Sequence, residues 1–205
     1  YNAFNEPVEL PATLDNKTLI VDPIPVKGGI INLAAKLCLD ENLNPVFTYH
    51  KYDTAGNLQL YVAERVKGKW VSKQVTNWDY RWEFSGGGSI IFEVRLNSFT
   101  RRKDGFYELS YFHVKYGKGT LMLNKDFKVI GTIKKPVSII DGMKTESSFP
   151  GLAPLTAGDL GRSGEPGVSY ILKWETLPSN RDRARPEPWP DPAVLYLYKL
   201  KSKRW

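Results

Sequence analysis

From Gly28 onward, apolar and polar positions alternate along most of the chain, and no convincing stretch repeats apolar residues at helical spacing. The pattern predicts short strands separated by turns. Gly28-Gly29 opens a strand over about Ile30 to Leu39, and Asp40 to Asn44 turns it. Pro45 to Tyr52 follows, with Phe47, Tyr49 and Lys51 on one face and Val46, Thr48, His50 and Tyr52 on the other. Asp53-Thr54-Ala55-Gly56-Asn57 carries hairpin chemistry. Leu58 to Val66 places Gln59, Tyr61, Ala63 and Arg65 on one face; Lys67-Gly68-Lys69 turns the chain into Trp70 to Thr76.

Those four strands have the size of one propeller blade. A second set follows: Ser89 to Phe99, Gly105 to Lys115, Gly119 to Leu123 and Lys128 to Lys134. A third is less regular, with a Gly/Pro-rich excursion over Phe149 to Gly167 and then strands at Val168 to Glu175 and Ala193 to Lys201. A β-sandwich also has short strands, but the repeating four-strand cluster favours a propeller. The expected fold class is therefore all-β, a β-propeller of four-stranded antiparallel blades. Two or three blades leave a ring open, so earlier blades are expected before Tyr1, with residues 1–205 as the C-terminal part of one propeller domain.

Composition narrows the partners. The 17 Gly and 14 Pro of the 205 residues are scattered, as turns between strands require, and not periodic as in collagen. The net charge of +7 is either a solvated surface or a surface for an anionic partner. No nucleic-acid module and no amphipathic or membrane-spanning helix is visible, so neither nucleic acid nor a membrane is the expected partner. An acidic polysaccharide suits Arg and Lys set among many aromatic rings. Cys38, the only cysteine, sits in an apolar run and reads as a small core residue. With two histidines and one cysteine the usual zinc ligand sets cannot be assembled; a structural divalent cation on carboxylates and carbonyls stays compatible.

The densest chemistry lies between Thr48 and Phe84: Tyr49-His50-Lys51-Tyr52, Arg65, and Trp78-Asp79-Tyr80-Arg81-Trp82-Glu83-Phe84. The plain reading of the last run is a packed blade corner with Asp79 and Arg81 as an ion pair. The Gly86-Gly87-Gly88 run precedes a strand instead of opening a helix, which is not the phosphate-binding pattern. His113 repeats the setting of His50, in Tyr111-Phe112-His113-Val114-Lys115-Tyr116.

The runs Asn44 to Asp53, Gly56 to Arg65, Trp78 to Ser89, Tyr111 to Thr120, Leu177 to Arg183 and Leu195 to Leu200 resemble the BNR-repeat family, which includes seven-bladed ulvan lyases and related α-L-rhamnosidases. The resemblance implies β-elimination on a rhamnose-linked uronic acid, with no cofactor. A base removes the C5 proton, an acid protonates the departing O4, and Arg offsets the carboxylate. It implies Tyr49 and Arg65 as the catalytic pair, and His50, Tyr80, Arg81, Tyr107 and His113 as substrate contacts, with the family's other histidines on the earlier blades. It also implies a periplasmic or secreted location. Two alternatives stay open: a rhamnosidase acting on rhamnosyl-glucuronic acid ends, and a glycan-binding propeller without chemistry.

Overall fold

The structure is a computed structural model. It describes residues 2, 4, 6–13, 15–31, 34–84, 88–134, 143–159 and 163–201. They form two compact units, one of residues 1–85 and 92–135, the other of 86–91 and 136–205.

The first unit holds two four-stranded antiparallel sheets. Sheet A runs in order through β1 (Lys36–Leu39), β2 (Pro45–Tyr52), β3 (Leu58–Val66) and β4 (Lys69–Gln74). Sheet B repeats it with β5 (Val94–Arg101), β6 (Tyr107–His113), β7 (Gly117–Leu123) and β8 (Val129–Thr132). Each sheet is completed before the next begins, which is the meander of a propeller blade; in a Greek-key sandwich the strands change sheets. The fold is thus all-β with four-stranded antiparallel blades, as the hydrophobic pattern predicts.

The two sheets share one core. Val46, Leu58, Leu60 and Val62 of sheet A pack with Val94, Leu96, Leu109, Leu121 and Leu123 of sheet B. The first strands, β1 and β5, lie against each other. The hairpins reuse one local device. At 40–44, 53–57, 102–106 and 124–128 the first residue's N–H donates to the last residue's carbonyl at 2.8–2.9 Å. The fourth residue has positive φ, at Leu43, Gly56, Gly105 and Phe127. In three of them an Asp or Asn side chain (Asp40, Asp53, Asn124) accepts from the backbone two and four residues on, replacing the bonds the turn breaks.

Several expected strands are shorter than the pattern suggests, the first strand of each sheet most of all. Among the described residues of the expected opening strand only Lys36 to Leu39 pair in the sheet, and Ala34 N donates to Ile31 O at 3.2 Å. The ladder beside the end of β2 is instead completed by Gly28, whose carbonyl accepts from Tyr52 N at 2.9 Å. Sheet B begins at Val94, not Ser89, and β5 carries a bulge at Asn97. The bulge explains why buried positions run Val94, Leu96, Phe99: one inserted residue reverses the alternation.

Between the sheets, Trp78 to Phe84 crosses as an extended segment. Trp78, Tyr80, Trp82 and Phe84 pack against the core, while Asp79, Arg81 and Glu83 are exposed. Its first residue is held by a side chain acting as a strand. Gln59, wholly buried, donates to Trp78 O and accepts from Trp78 N, both at 2.8 Å. It also donates to Asp53 at 2.8 Å and accepts from Thr76 at 2.9 Å, so all its polar capacity is used.

The second unit contains a three-stranded antiparallel sheet of β9 (Ala153–Gly158), β10 (Val168–Thr176) and β11 (Tyr196–Lys201), ordered β11-β10-β9. β9 lies inside the expected loop excursion. Lys173 is buried there but paired with Glu146 at 2.7 Å and Glu175 at 3.6 Å. Gly88 (φ +83) comes so close to Arg181 that a Cβ would sit 2.1 Å from its carbonyl oxygen, so a side chain is excluded there. Ser85, Gly86 and Gly87 lie outside the described residues.

Candidate functional site

β2 presents chemistry on both faces. On the inter-sheet face, alternation puts Val46, Thr48 and His50 inward, and all three are buried. Pairing of Lys36 with Thr48 brings Lys36 to the same face. His50 Nδ1 lies 2.6 Å from Gly29 O. A carbonyl only accepts, so Nδ1 carries the proton and Nε2 of the neutral ring keeps its lone pair. Burial pushes the imidazole below its ordinary pKa, which keeps it neutral. Nε2 has no partner. Gly29 has φ +86, and a Cβ there would lie 2.7 Å from Tyr52, so only glycine brings this carbonyl to His50.

His50 lines a cavity of about 280 Å³ at the adjoining first strands, together with Lys36, Phe92, Arg95 and Asn97. The bulge at Asn97 takes that residue out of the ladder. The Arg95 guanidinium is 5.2 Å from the centroid of Phe92. Among the described residues neither Lys36 nor Arg95 has a carboxylate partner, and the Asn97 amide has no hydrogen-bond partner. The site therefore gathers two cations, an amide and a buried acceptor nitrogen, none of them held by an ion pair or side-chain hydrogen bond at its free groups among the described residues.

On the opposite face of β2, Tyr49 donates to Asp22 at 2.5 Å, lies 2.6 Å from Ser72 Oγ, and stacks on Tyr61 with centroids 6.1 Å apart. Lys51 bonds the same Asp22 oxygen at 2.6 Å. Burial, reinforced by the Asp22 carboxylate, holds the Tyr49 phenol well above its ordinary pKa, so it stays protonated. Tyr49 and Arg65 share a face but are not brought together. Tyr49 pairs with Tyr61, four residues before Arg65 on β3, about 13 Å along the strand. Arg65 instead donates to Asn2 O at 3.5 Å and Asn44 Oδ1 at 3.4 Å. Among the described residues no arginine acts on the Tyr49 phenol.

The other expected contact residues are dispersed. His113 is buried with ring centroids of Trp78, Tyr80 and Tyr116 at 4.5, 4.7 and 4.7 Å. Tyr80 hydrogen-bonds Glu93, and its phenol is pushed up to about 12 by burial and then by that carboxylate. Arg81 pairs with Glu83, bonds Gly56 O at 2.8 Å and stacks 4.0 Å from the Tyr52 ring centroid. The expected Asp79–Arg81 ion pair is not formed: Asp79 pairs with Lys115 at 2.8 Å. Tyr107 packs in the core, 4% exposed between Phe99 and Phe127. Cys38 packs half-buried against the core, its thiol pushed up to about 12 chiefly by burial. Among the described residues no helix is long and apolar enough to cross a membrane, and no three His, Cys, Asp or Glu side chains gather as a metal group.

Lys36, Arg95 and Asn97 were not singled out by sequence reasoning. The only local signal was the spacing Val94, Leu96, Phe99, which betrays the bulge.

Blade-like antiparallel meanders in series, with a basic cavity where the first strands of the two sheets adjoin, define a propeller-type β protein. Residues 1–78 match the family model described as BNR repeat-containing family member, a stretch that covers all of sheet A. No curated protein and no solved structure matches the chain.

Proposed function

We propose that the protein acts on an anionic uronic-acid glycan, ulvan-like in its rhamnose–uronate linkages, as a polysaccharide lyase. The observation that carries this reading is the neutral His50 with a free Nε2 in a cavity shared with unpaired Lys36 and Arg95. Lys36 and Arg95 take the uronate carboxylate and offset the charge that develops as the C5–H bond breaks. Asn97 contacts a ring hydroxyl. His50 Nε2 accepts the C5 proton, the C4–C5 double bond forms as the C4–O4 bond breaks, and the imidazolium's proton is available to the departing O4. The Gly29 carbonyl supports the imidazolium through Nδ1–H. The aromatic and basic side chains at the cavity, and the repeat match over residues 1–78, support a glycan ligand. Tyr49, protonated and tied to Asp22, fits a role in positioning β2 better than one as base.

The test is incubation of the full chain with rhamnose–uronate polysaccharide and with its carboxyl-reduced form. A lyase yields an unsaturated uronate that absorbs in the near ultraviolet, from the acidic polymer only. Release of saturated rhamnose would instead favour the rhamnosidase reading. Retention of the polymer without any product would reduce the cavity to a binding site, a reading that the complete burial of His50 favours.

A further inference from the structure

The second unit contains a larger cavity, about 700 Å³, outside the site described above. Its rim carries Trp189, 69% exposed, between Pro188 and Pro190. The indole has one hydrogen bond and flanking prolines. Its Nε1 donates to Arg185 O at 3.3 Å, and the two prolines limit the backbone on either side. Arg185 in turn donates to Pro178 O, which closes the loop around the cavity. Leu177 and Pro178 give an apolar wall.

The polar groups at the rim divide into used and unused. Glu175 is engaged by the N–H groups of Glu146 and Ser147 at 2.5 and 3.0 Å. The side chains of Arg183 and Asp191 line the same cavity and have no partner among the described residues. A flat apolar face beside one free guanidinium and one free carboxylate matches a pyranose ring. The ring's C–H face covers the indole, Asp191 accepts from hydroxyls, and Arg183 takes a carboxylate or a hydroxyl pair. A proline-rich peptide would need a groove with several aromatic rings, and this cavity offers one.

We propose that Trp189, Arg183 and Asp191 form a glycan-binding platform that holds a uronic-acid saccharide without acting on it. The choice of an acidic saccharide rests on the function proposed above; the platform itself does not. Trp189 offers the largest apolar face at the rim, so removing its ring should dominate the affinity.

The experiment is calorimetric titration of the full chain in a Lys36→Ala/Arg95→Ala background, which disables the inter-sheet cavity. The probes are hexasaccharides cut from a rhamnose–uronate polysaccharide and the same hexasaccharides after carboxyl reduction. Trp189→Ala should weaken both probes by about tenfold or more, with an unchanged thermal midpoint because the ring is exposed. Arg183→Ala should weaken the acidic probe several-fold and leave the reduced one unchanged. Binding by Trp189→Ala within twofold of its background, no binding of either probe, or displacement of the saccharide by a proline-rich peptide would each overturn the platform. Product formation by the parent chain is scored separately, so loss of the lyase reading leaves a distinct signature from loss of the platform.

Discussion

His50 and His113 stand in near-duplicate sequence settings, His-Lys-Tyr and His-Val-Lys-Tyr, each after aromatic residues at the end of a blade strand. Both are buried, and both leave Nε2 without a partner. Yet they are opposite in chemistry. His50 donates Nδ1–H to a carbonyl, so its free Nε2 is an acceptor. His113 Nδ1 accepts from the backbone N–H of Lys115 at 2.9 Å and more weakly from Tyr116, so its Nε2 carries the proton. His50 lines a cavity with unpaired cations; His113 is enclosed by three aromatic rings. The same residue in the same local sequence thus becomes a candidate base in one sheet and a turn-clamping core residue in the other. The deciding groups are backbone atoms: a glycine carbonyl in one case, a turn amide in the other.

The largest effect expected from this contrast is on turnover. His50→Gln should lower formation of unsaturated product by about 100-fold to 10,000-fold, the scale of a general base. His113→Gln should leave the rate within a few-fold while lowering stability by about 1–3 kcal/mol, since it removes a buried ring and the acceptor it offers the Lys115 amide. Paired rate assays and denaturant midpoints check this, and equal loss of rate in both variants would erase the distinction.

Next comes Gln59→Leu. It leaves both backbone groups of buried Trp78 unpaired and so loosens a wall of the His113 enclosure, without touching the His50 cavity. Stability should fall by about 2–4 kcal/mol. Proton-exchange rates should rise at Trp78 and its neighbours and hold at β1 and β2.

The pH dependence follows with the sign worked through. Burial, with Lys115 adding to it, depresses His113 from 6.5 to about 4. The unfolded chain therefore binds this proton more readily than the folded one. His113 contributes stability in full above about pH 6.5, and that contribution is lost as pH falls from 6.5 toward about 4. His113→Gln should flatten the unfolding midpoint across that window; a slope unchanged from the parent would show that other groups carry it.

Smallest is Tyr49→Phe. Removing a hydroxyl shared between Asp22 and Ser72 should cost about 1–2 kcal/mol and leave product formation nearly unchanged. A hundredfold loss of rate would return the catalytic role to the Tyr49 face of β2.

Much of sheet A was legible. The expected limits of β2 and β3 match the structure because each has a strong hairpin signal at one end and unbroken alternation between. The opening strand was overextended. Ile30 to Leu39 keeps strand-like composition throughout, but Gly28 takes over the ladder beside Tyr52, which local pattern does not encode. β9 was missed because its residues, Ala153 to Gly158, are weak strand formers whose pairing comes from β10 across a long loop. The pairing of Tyr49 with Arg65 was implied by the family resemblance and agreed with their shared face; register set Arg65 four residues along β3 from Tyr61, the partner of Tyr49.

The alternation of apolar residues and the turn chemistry at Asp40, Asp53 and Asn124 determined an all-β chain of blade-like meanders. These are short-range properties, set by side-chain period and by hydrogen bonds within five residues. Tertiary structure alone decided which histidine keeps a free acceptor nitrogen and which cations stand unpaired beside it. Lys36, His50, Arg95 and Asn97 come from strands far apart in sequence, and they meet only because the first strands of two sheets are held together by the core behind them.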